Sequence, residues 1–576
     1  KLSITSGVFV VPDTQPKPSP AHVSFRVDGS MAAAAALLSS DALRGEAAIT
    51  LDPNSSRGNV AAQVAVNMQI SRKLPTDPPR YTITADLTNF AADKLLLGRK
   101  VEASSLRVTA SRDGYVVKGD VKINSTPATI SLTKSIASPN AELRLRATID
   151  DAARRRLGID FGDTVTGSIP VKVDAQVDND NPDVRMNVDA DLTSLKIDNL
   201  LPGWVKPAGK PAHATGMLVR TGKDIRFDDL SISGSGAHVK GSVEIDDMSE
   251  VVSANFPVFS LSDGDKAMLK ADRGSDGVLH VSMYGDVYDG RNFVKASLAG
   301  QTPDKPKQKQ KQKQKEIDLD LDIKIGTVVG HNGEALRGLD LKLQRRAGHI
   351  RQFLLKAKIG RDTPLIGDLR LRASDKHQVV YFETDDAGAL FRFTDMYPRM
   401  FGGQMWVAMD PPTQEQTPQI GSLNIHNFVV RNEPALERVV SGAPGGKHGS
   451  VQFSEMRADF TRFPGKMAVR DGIVRGPLLG VTVEGQVDYV NNAVHLRGTF
   501  VPFYGLNNMF GQIPIVGLFL GGGNNEGLLG ITYEATGPPG SPRITVNPVS
   551  AIAPGLLRKF IPSPGNFDQN FTPPKQ

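Results

Sequence analysis

Asp318, Asp320 and Asp322 alternate with Leu319, Leu321 and Ile323. Three neighbouring carboxylates are hard oxygen ligands of the kind a calcium ion takes. A spacing of two, though, sets the acids on one face of a strand and the aliphatic side chains on the other. A wet face backed by an apolar one is the simpler reading. The other chemistry-bearing motifs fail. Ten histidines are scattered, and none stands in HExxH or similar metal spacing. Gly445-Gly446-Lys447-His448 resembles the tail of a phosphate loop, but Ser441 replaces its first glycine and His448 its magnesium-binding hydroxyl. In Gly521-Gly522-Gly523-Asn524-Asn525-Glu526, Glu526 stands where a dinucleotide fingerprint needs its last glycine. No GxSxG elbow occurs. With no cysteine in the chain, disulfide and thiolate chemistry are excluded. The residues point to no enzyme, no metal and no cofactor.

The same two-sided split recurs. Glu142, Arg144 and Arg146 oppose Leu143 and Leu145, and Lys172 and Asp174 oppose Val171 and Val173. Period-two segments fill the chain at 4–11, 47–51, 62–70, 81–87, 105–110, 115–123, 128–132, 141–149, 168–177, 184–192, 214–219, 225–232, 238–245, 278–284, 293–298, 317–325, 339–345, 350–359 and 367–372, and again at 530–535 and 543–547. Short turns between many of them favour antiparallel pairing. Short helices are expected at 32–38, 88–97, 150–157, 385–401 (with Pro398 ending it early) and 432–440. So few helices cannot cover so many strands. An open apolar face must be covered by something, and a flat sheet rarely exceeds about ten strands without curling. The sequence therefore predicts a mostly β fold: a long antiparallel sheet curled into an apolar groove, with a few short helices. Leu143, Leu145, Val171, Val173, Leu319, Leu321 and Ile323 are its candidate lining.

At 576 residues the chain exceeds a single core. It reads as a repetitive β region over 1–300, a basic insertion over 301–316 and a further β region with short helices over 317–576. The insertion carries six lysines alternating with Gln or Pro between Lys305 and Lys315 and cannot bury apolar surface. This lysine run accounts for much of the formal charge of +6, so the body is near neutral and not of nucleic-acid-binding type. Internal repetition is visible. Residues 117–123, 239–245 and 483–489 each place an apolar residue and a glycine before an alternating strand. Residues 85–88 and 190–193 both read Ala-Asp-Leu-Thr. No run is long and apolar enough for a membrane-spanning helix. The chain opens in mid-pattern at Lys1 without a starting Met, so it is expected to be a piece of a longer protein whose N-terminal anchor is missing.

One stretch near the C-terminus is specific enough to compare with known families. It comprises Gly498 to Pro502, Tyr504 to Asn507, Ile513 to Gly517, Tyr533, Gly537-Pro538, Val546 to Ser550 and Ala553 to Gly555. Together with Phe391, Tyr397, Met400 and Gly402-Gly403, with Asn432 to Leu436, and with Asp471-Gly472, Val474, Gly476-Pro477 and Gly480, it resembles the AsmA-like proteins of Gram-negative envelopes, in particular their YhdP-type members. The likeness is specific over about 385–560 and looser over 1–300, where Ile149 to Arg154 and Gly158 are similar. The resemblance implies a periplasmic, bridge-like protein, anchored in the inner membrane, that moves phospholipid between inner and outer membranes along an apolar β groove. Ile513, Ile515, Val516, Leu518 and Phe519 are candidates for seating one groove end at a membrane. A second expectation is an envelope assembly scaffold for outer-membrane proteins, with an outer-membrane or periplasmic protein partner. A polysaccharide-active β-solenoid would need clustered carboxylates and aromatics; aromatics at 6% and only two tryptophans, Trp204 and Trp406, speak against it.

Overall fold

The computed structural model describes residues 1–40, 51–71, 79–96, 99–156, 162–177, 185–198, 204–221, 224–246, 250–299, 317–412, 417–434, 436–437, 449–502, 531–539, 541–547 and 571–572. The fold is mostly β with four short α helices among those residues. No described helix is long and apolar enough to cross a membrane, which says nothing of membrane-spanning strands. The chain divides into two compact units, one of 1–200 with 205–256 and one of 201–204 with 257–576.

The first unit contains β1 (Leu2–Val10), β2 (Ser19–Ser30), α1 (Met31–Leu38), β3 (Arg57–Ile70), β4 (Arg80–Leu96), β5 (Arg99–Ser111), β6 (Gly114–Ile123), β7 (Thr126–Ser135), β8 (Ala141–Ile149), α2 (Asp151–Arg156), β9 (Val165–Thr166), β10 (Ile169–Val177), β11 (Arg185–Asp191), β12 (Lys196–Asp198), β13 (Val205–Lys206), β14 (Ala212–Thr221), β15 (Asp224–Gly234) and β16 (Ala237–Ile245). From β1 to β8 each strand pairs antiparallel with the next, and the ladder continues through β10, β11, β14, β15 and β16. The skipped strands β9, β12 and β13 form a small sheet of their own. Two buried cations plug it. Arg154 donates to the carbonyls of Val165 and Gly167, and Lys206 donates to those of Thr193, Leu195 and Pro207 at 2.8–3.3 Å. The carbonyls satisfy the N–H donors where water cannot, and the Asp151 carboxylate also pairs with Arg154.

Strand β17 (Val251–Ser260) straddles the division. The second unit continues with β18 (Lys266–Arg273), β19 (Leu279–Asp289), α3 (Arg291–Ala299), β20 (Leu319–Val329), β21 (Ala335–Arg346), β22 (His349–Ile359), β23 (Thr363–Arg372), β24 (Gln378–Thr384), α4 (Ala387–Phe393), β25 (Met400–Met409), β26 (Gln419–Arg431), β27 (Ser450–Phe463), β28 (Lys466–Arg475), β29 (Leu479–Asp488), β30 (Ala493–Pro502), β31 (Ile531–Gly537), β32 (Arg543–Asn547) and β33 (Phe571–Thr572). Strands β18 to β32 again pair in chain order. The one parallel pair among these is β19 with β20. Strand β33 adds to the far end of β23.

This second sheet is curled. Strand β27 lies eight ladder steps from β19, about 38 Å on a flat sheet at about 4.8 Å per step. Yet Arg462 of β27 donates to the Ser297 carbonyl of α3, which begins two residues after β19 ends. A nine-residue helix covers about 13 Å, and the remainder exceeds any side chain's reach. Helix α4 bridges a second gap: the Phe393 ring sits on Gly330 beyond β20 while the helix packs on β25.

Three expectations need correction. Of the residues 88–97 expected to be helical, 88–96 are strand: Phe90 pairs with Ala103 and Thr88 with Asn59, so two flanking strands override a helix-like composition. Residues 293–298 are helix, not strand. The Asp289 carboxylate accepts from the Arg291 amide at the helix start, and Val294 and Leu298 fall one turn apart. The helix expected at 385–401 ends at Phe393; Thr394 caps it, Asp395 takes φ +56°, and Met400 already pairs with Val430. The helices expected at 32–38 and 150–157 form as Met31–Leu38 and Asp151–Arg156, with residue 157 outside the described residues, and a helical turn starts at Pro434.

Candidate functional site

Side chains alternate across each strand, and the ladders align them into cross-strand rows. In the first unit, Leu145 lies opposite Ile130 and Val173, and Val173 lies opposite Val188. Val171 lies opposite Ala147 and Ala190. Leu143 lies opposite Leu132 and Ala175 and is fully buried, so it is core. Leu145, Val171 and Val173 are half-buried, while Glu142, Arg144, Arg146, Lys172 and Asp174 are exposed. The expected two-sided split therefore holds strand by strand.

In the second unit one apolar row crosses nine strands. It runs Met283, Ile323, Leu341, Leu355, Gly367, Phe382, Val407, Leu423, Ala458. A parallel row joins Val281, Leu321 and Leu343. Leu319, Leu321, Ile323, Leu341, Leu343 and Leu355 are all half-buried, so part of this face stays accessible among the described residues. From β27 on, the face continues through Phe460, Val469, Gly485, Leu496, Ala535 and Ile544.

The opposite face carries the charge. Asp318 accepts from the Ala347 amide at 2.7 Å, Asp320 pairs with Arg346 at 2.5 Å and Asp322 accepts from the Tyr284 hydroxyl at 3.2 Å. The Arg346 hydrogen bond holds the Asp320 carboxyl below its ordinary range. Each acid thus has its own partner, and among the described residues no three acidic or imidazole groups are placed to hold a metal. A concavity of about 1200 Å³ in the first unit is lined among others by Glu102, Asp120, Lys122 and Arg146 and by the apolar Phe90, Val121 and Val171.

The structure also explains the residues that carried the family likeness in the second unit. Tyr397 donates to Glu433 at 3.0 Å, and Arg399 donates to the same carboxylate. Met400, Leu436, Val474, Phe500 and Tyr533 of the motifs then pack in one core with Phe428, Phe453 and Leu479 from outside them. These motif residues hold the sheet end around α4. Ile513, Ile515, Val516, Leu518 and Phe519 lie outside the described residues, as does the basic stretch 301–316.

Two side chains on the apolar face escaped the sequence reading, Arg462 and Tyr489. Met456, Ala458, Phe460 and Arg462 alternate on β27, and the arginine is the one break in that series. No family model, curated protein or solved structure matches the chain.

Proposed function

We propose that this chain is part of a bridge-like lipid transfer protein of the periplasm, carrying phospholipid acyl chains along an apolar β groove between inner and outer membranes. The observation that carries the reading is the apolar row from Met283 to Ala458, half-buried at Ile323, Leu341, Leu355, Phe382, Val407 and Leu423 and backed by a charged face. The resemblance to AsmA-like, YhdP-type proteins supports it, and with it an anchor in the inner membrane. Exposing a chain of about 16 methylenes to water costs on the order of 13 kcal/mol at about 0.8 kcal/mol each. A continuous apolar lining keeps that surface buried while the headgroup stays wet. No bond is made or broken, so the reading assigns no catalytic residue.

A second reading, an envelope assembly scaffold, is favoured by one feature. Strand β1 pairs only with β2 among the described residues, carries no charged side chain, and exposes Ile4, Val8 and Phe9. Such an edge accepts a further strand.

A photo-crosslinking residue at Leu321 and, separately, at Asp320 tests the choice in detergent-free protein. Phospholipid adducts at Leu321 and not at Asp320 support the groove. Equal labelling at both, or no lipid at either, moves the reading to the scaffold.

A further inference from the structure

Arg462 stands on the apolar face. Strand β27 runs without a bulge of its own past Ala458 and Phe460, so period two puts Arg462 beside them, opposite Met467. From there the row continues through Val487 and Val494. The guanidinium is half-buried, and burial pushes its proton affinity down. Its partners are neutral oxygens: the Ser297 carbonyl and, at 3.4 Å, the Gln419 side-chain carbonyl. Among the described residues no carboxylate pairs with it. Tyr489 stands close enough to feel this charge, and among the described residues its hydroxyl meets only the Met467 thioether, at 3.8 Å. A thioether is a weak acceptor.

A cation on an apolar wall with only neutral acceptors is expensive. Two donors that lack strong acceptors are arranged there to meet one. The Ser297 carbonyl belongs to the last turn of α3, whose terminal carbonyls lack helical partners. That bond occupies the guanidinium without neutralising it. An oxyanion supplies both the charge and the bidentate geometry that an arginine fork favours.

We propose that Arg462 and Tyr489 form a binding point for the anionic oxygens of an amphipathic ligand, a phosphate ester whose acyl chain lies along Phe460, Val469 and Leu496, with the Ser297 carbonyl as the group it displaces. The proposal rests on the lipid reading for its acyl part and on Arg462 for its anionic part.

The test offers the detergent-free chain vesicles holding equal amounts of phosphatidylglycerol and diacylglycerol with matched acyl chains. The protein is repurified and its lipid quantified by mass spectrometry. The wild type is expected to retain the phosphate-bearing lipid over diacylglycerol by at least about tenfold, the worth of one charge-assisted hydrogen bond. Arg462→Met keeps the volume and apolar packing; it should bring the ratio to about one while total acyl chain stays the same. Arg462→Lys should fall between, and Tyr489→Phe should lose a few-fold. A ratio unchanged in Arg462→Met overturns the site and leaves the lipid reading standing. If the wild type takes up neither lipid, the lipid reading falls. Phosphorus NMR titration with inorganic phosphate then decides the site: a response present in wild type and absent in Arg462→Met retains it, and no response overturns it.

Discussion

The hydroxyl of Tyr397 donates to Glu433 at 3.0 Å, joining the turn after α4 to the end of β26. Glu433 is buried, with Arg399 as its second partner. Tyr397→Phe removes one bond to a buried charge and should cost about 2 kcal/mol. Glu433→Ala strands the arginine and should cost more, about 3 kcal/mol. Denaturant unfolding followed by tryptophan fluorescence measures both; equal, negligible losses would deny the pair its holding role.

Gly367 sits in the apolar row because two rings need its space. A Cβ there would come within 2.9 Å of both Phe353 and Phe382, which meet edge to face at 5.4 Å between centroids. Gly367→Ala should therefore cost about 2 kcal/mol by overpacking. Adding Phe353→Leu should recover part of that loss, a non-additivity that thermal melts of the double mutant would reveal.

Gly119, Gly241 and Gly485, the glycines of the three repeat copies, take φ of +156°, +156° and +134°. Each lies beside a break in the pairing of its strand with the one before. The repeat is thus a bulge signature: the glycine gives the backbone room to follow a neighbour that has one residue too many. A Cβ on Gly485 would stand 2.1 Å from the His495 carbonyl oxygen. Gly485→Ala should cost about 3 kcal/mol, whereas Gly264→Ala, at φ +94° with open space around it, should cost about 1 kcal/mol. Chemical denaturation of the two variants side by side separates crowding from conformation.

Asp488 closes the turn between β29 and β30. The Asn491 backbone amide at 2.9 Å is the chief cause, followed by its side chain, that holds the Asp488 carboxyl at about 2. A depressed carboxyl contributes stability above its ordinary value and loses it as pH falls through the folded value. The wild type should lose stability between about pH 4 and pH 2 through this group. Asp488→Asn should lack that component, so the difference between the two melting temperatures should be largest above pH 5 and shrink toward pH 2. A constant difference over that range would assign the turn's stability elsewhere.

Leu341 and Lys342 are adjacent on β21 and face opposite ways, half-buried and exposed. If acyl chains follow the apolar row, Leu341→Asp should reduce lipid co-purifying with the chain at least several-fold, and Lys342→Asp should leave it unchanged. Equal effects would remove the distinction between the faces on which the lipid reading depends.

The fold class was legible because alternation is a local property: Leu143 and Leu145 declare a face whatever their partners. Short segments were less legible. Residues 88–97 and 293–298 were each misread because a run of six to ten residues is settled by its neighbours, β3 and β5 in one case and the Asp289 cap in the other. Arg462 was readable as a break in the alternation of β27, but its significance depends on Ser297, 165 residues away, and no local pattern announces that. The motif residues around Tyr397 and Glu433 were recognisable as a set; that they form packing around α4 became visible only in three dimensions.

Within each unit, strands bond chiefly to their neighbours in the chain. Stability in such a ladder is close to a sum of adjacent-pair terms, as it is in repeat proteins. A hairpin can then be inserted or lost without rewiring the rest, and each one changes the breadth of the sheet by about 9.6 Å. Span is in that sense an inheritable length, adjustable in steps of two strands.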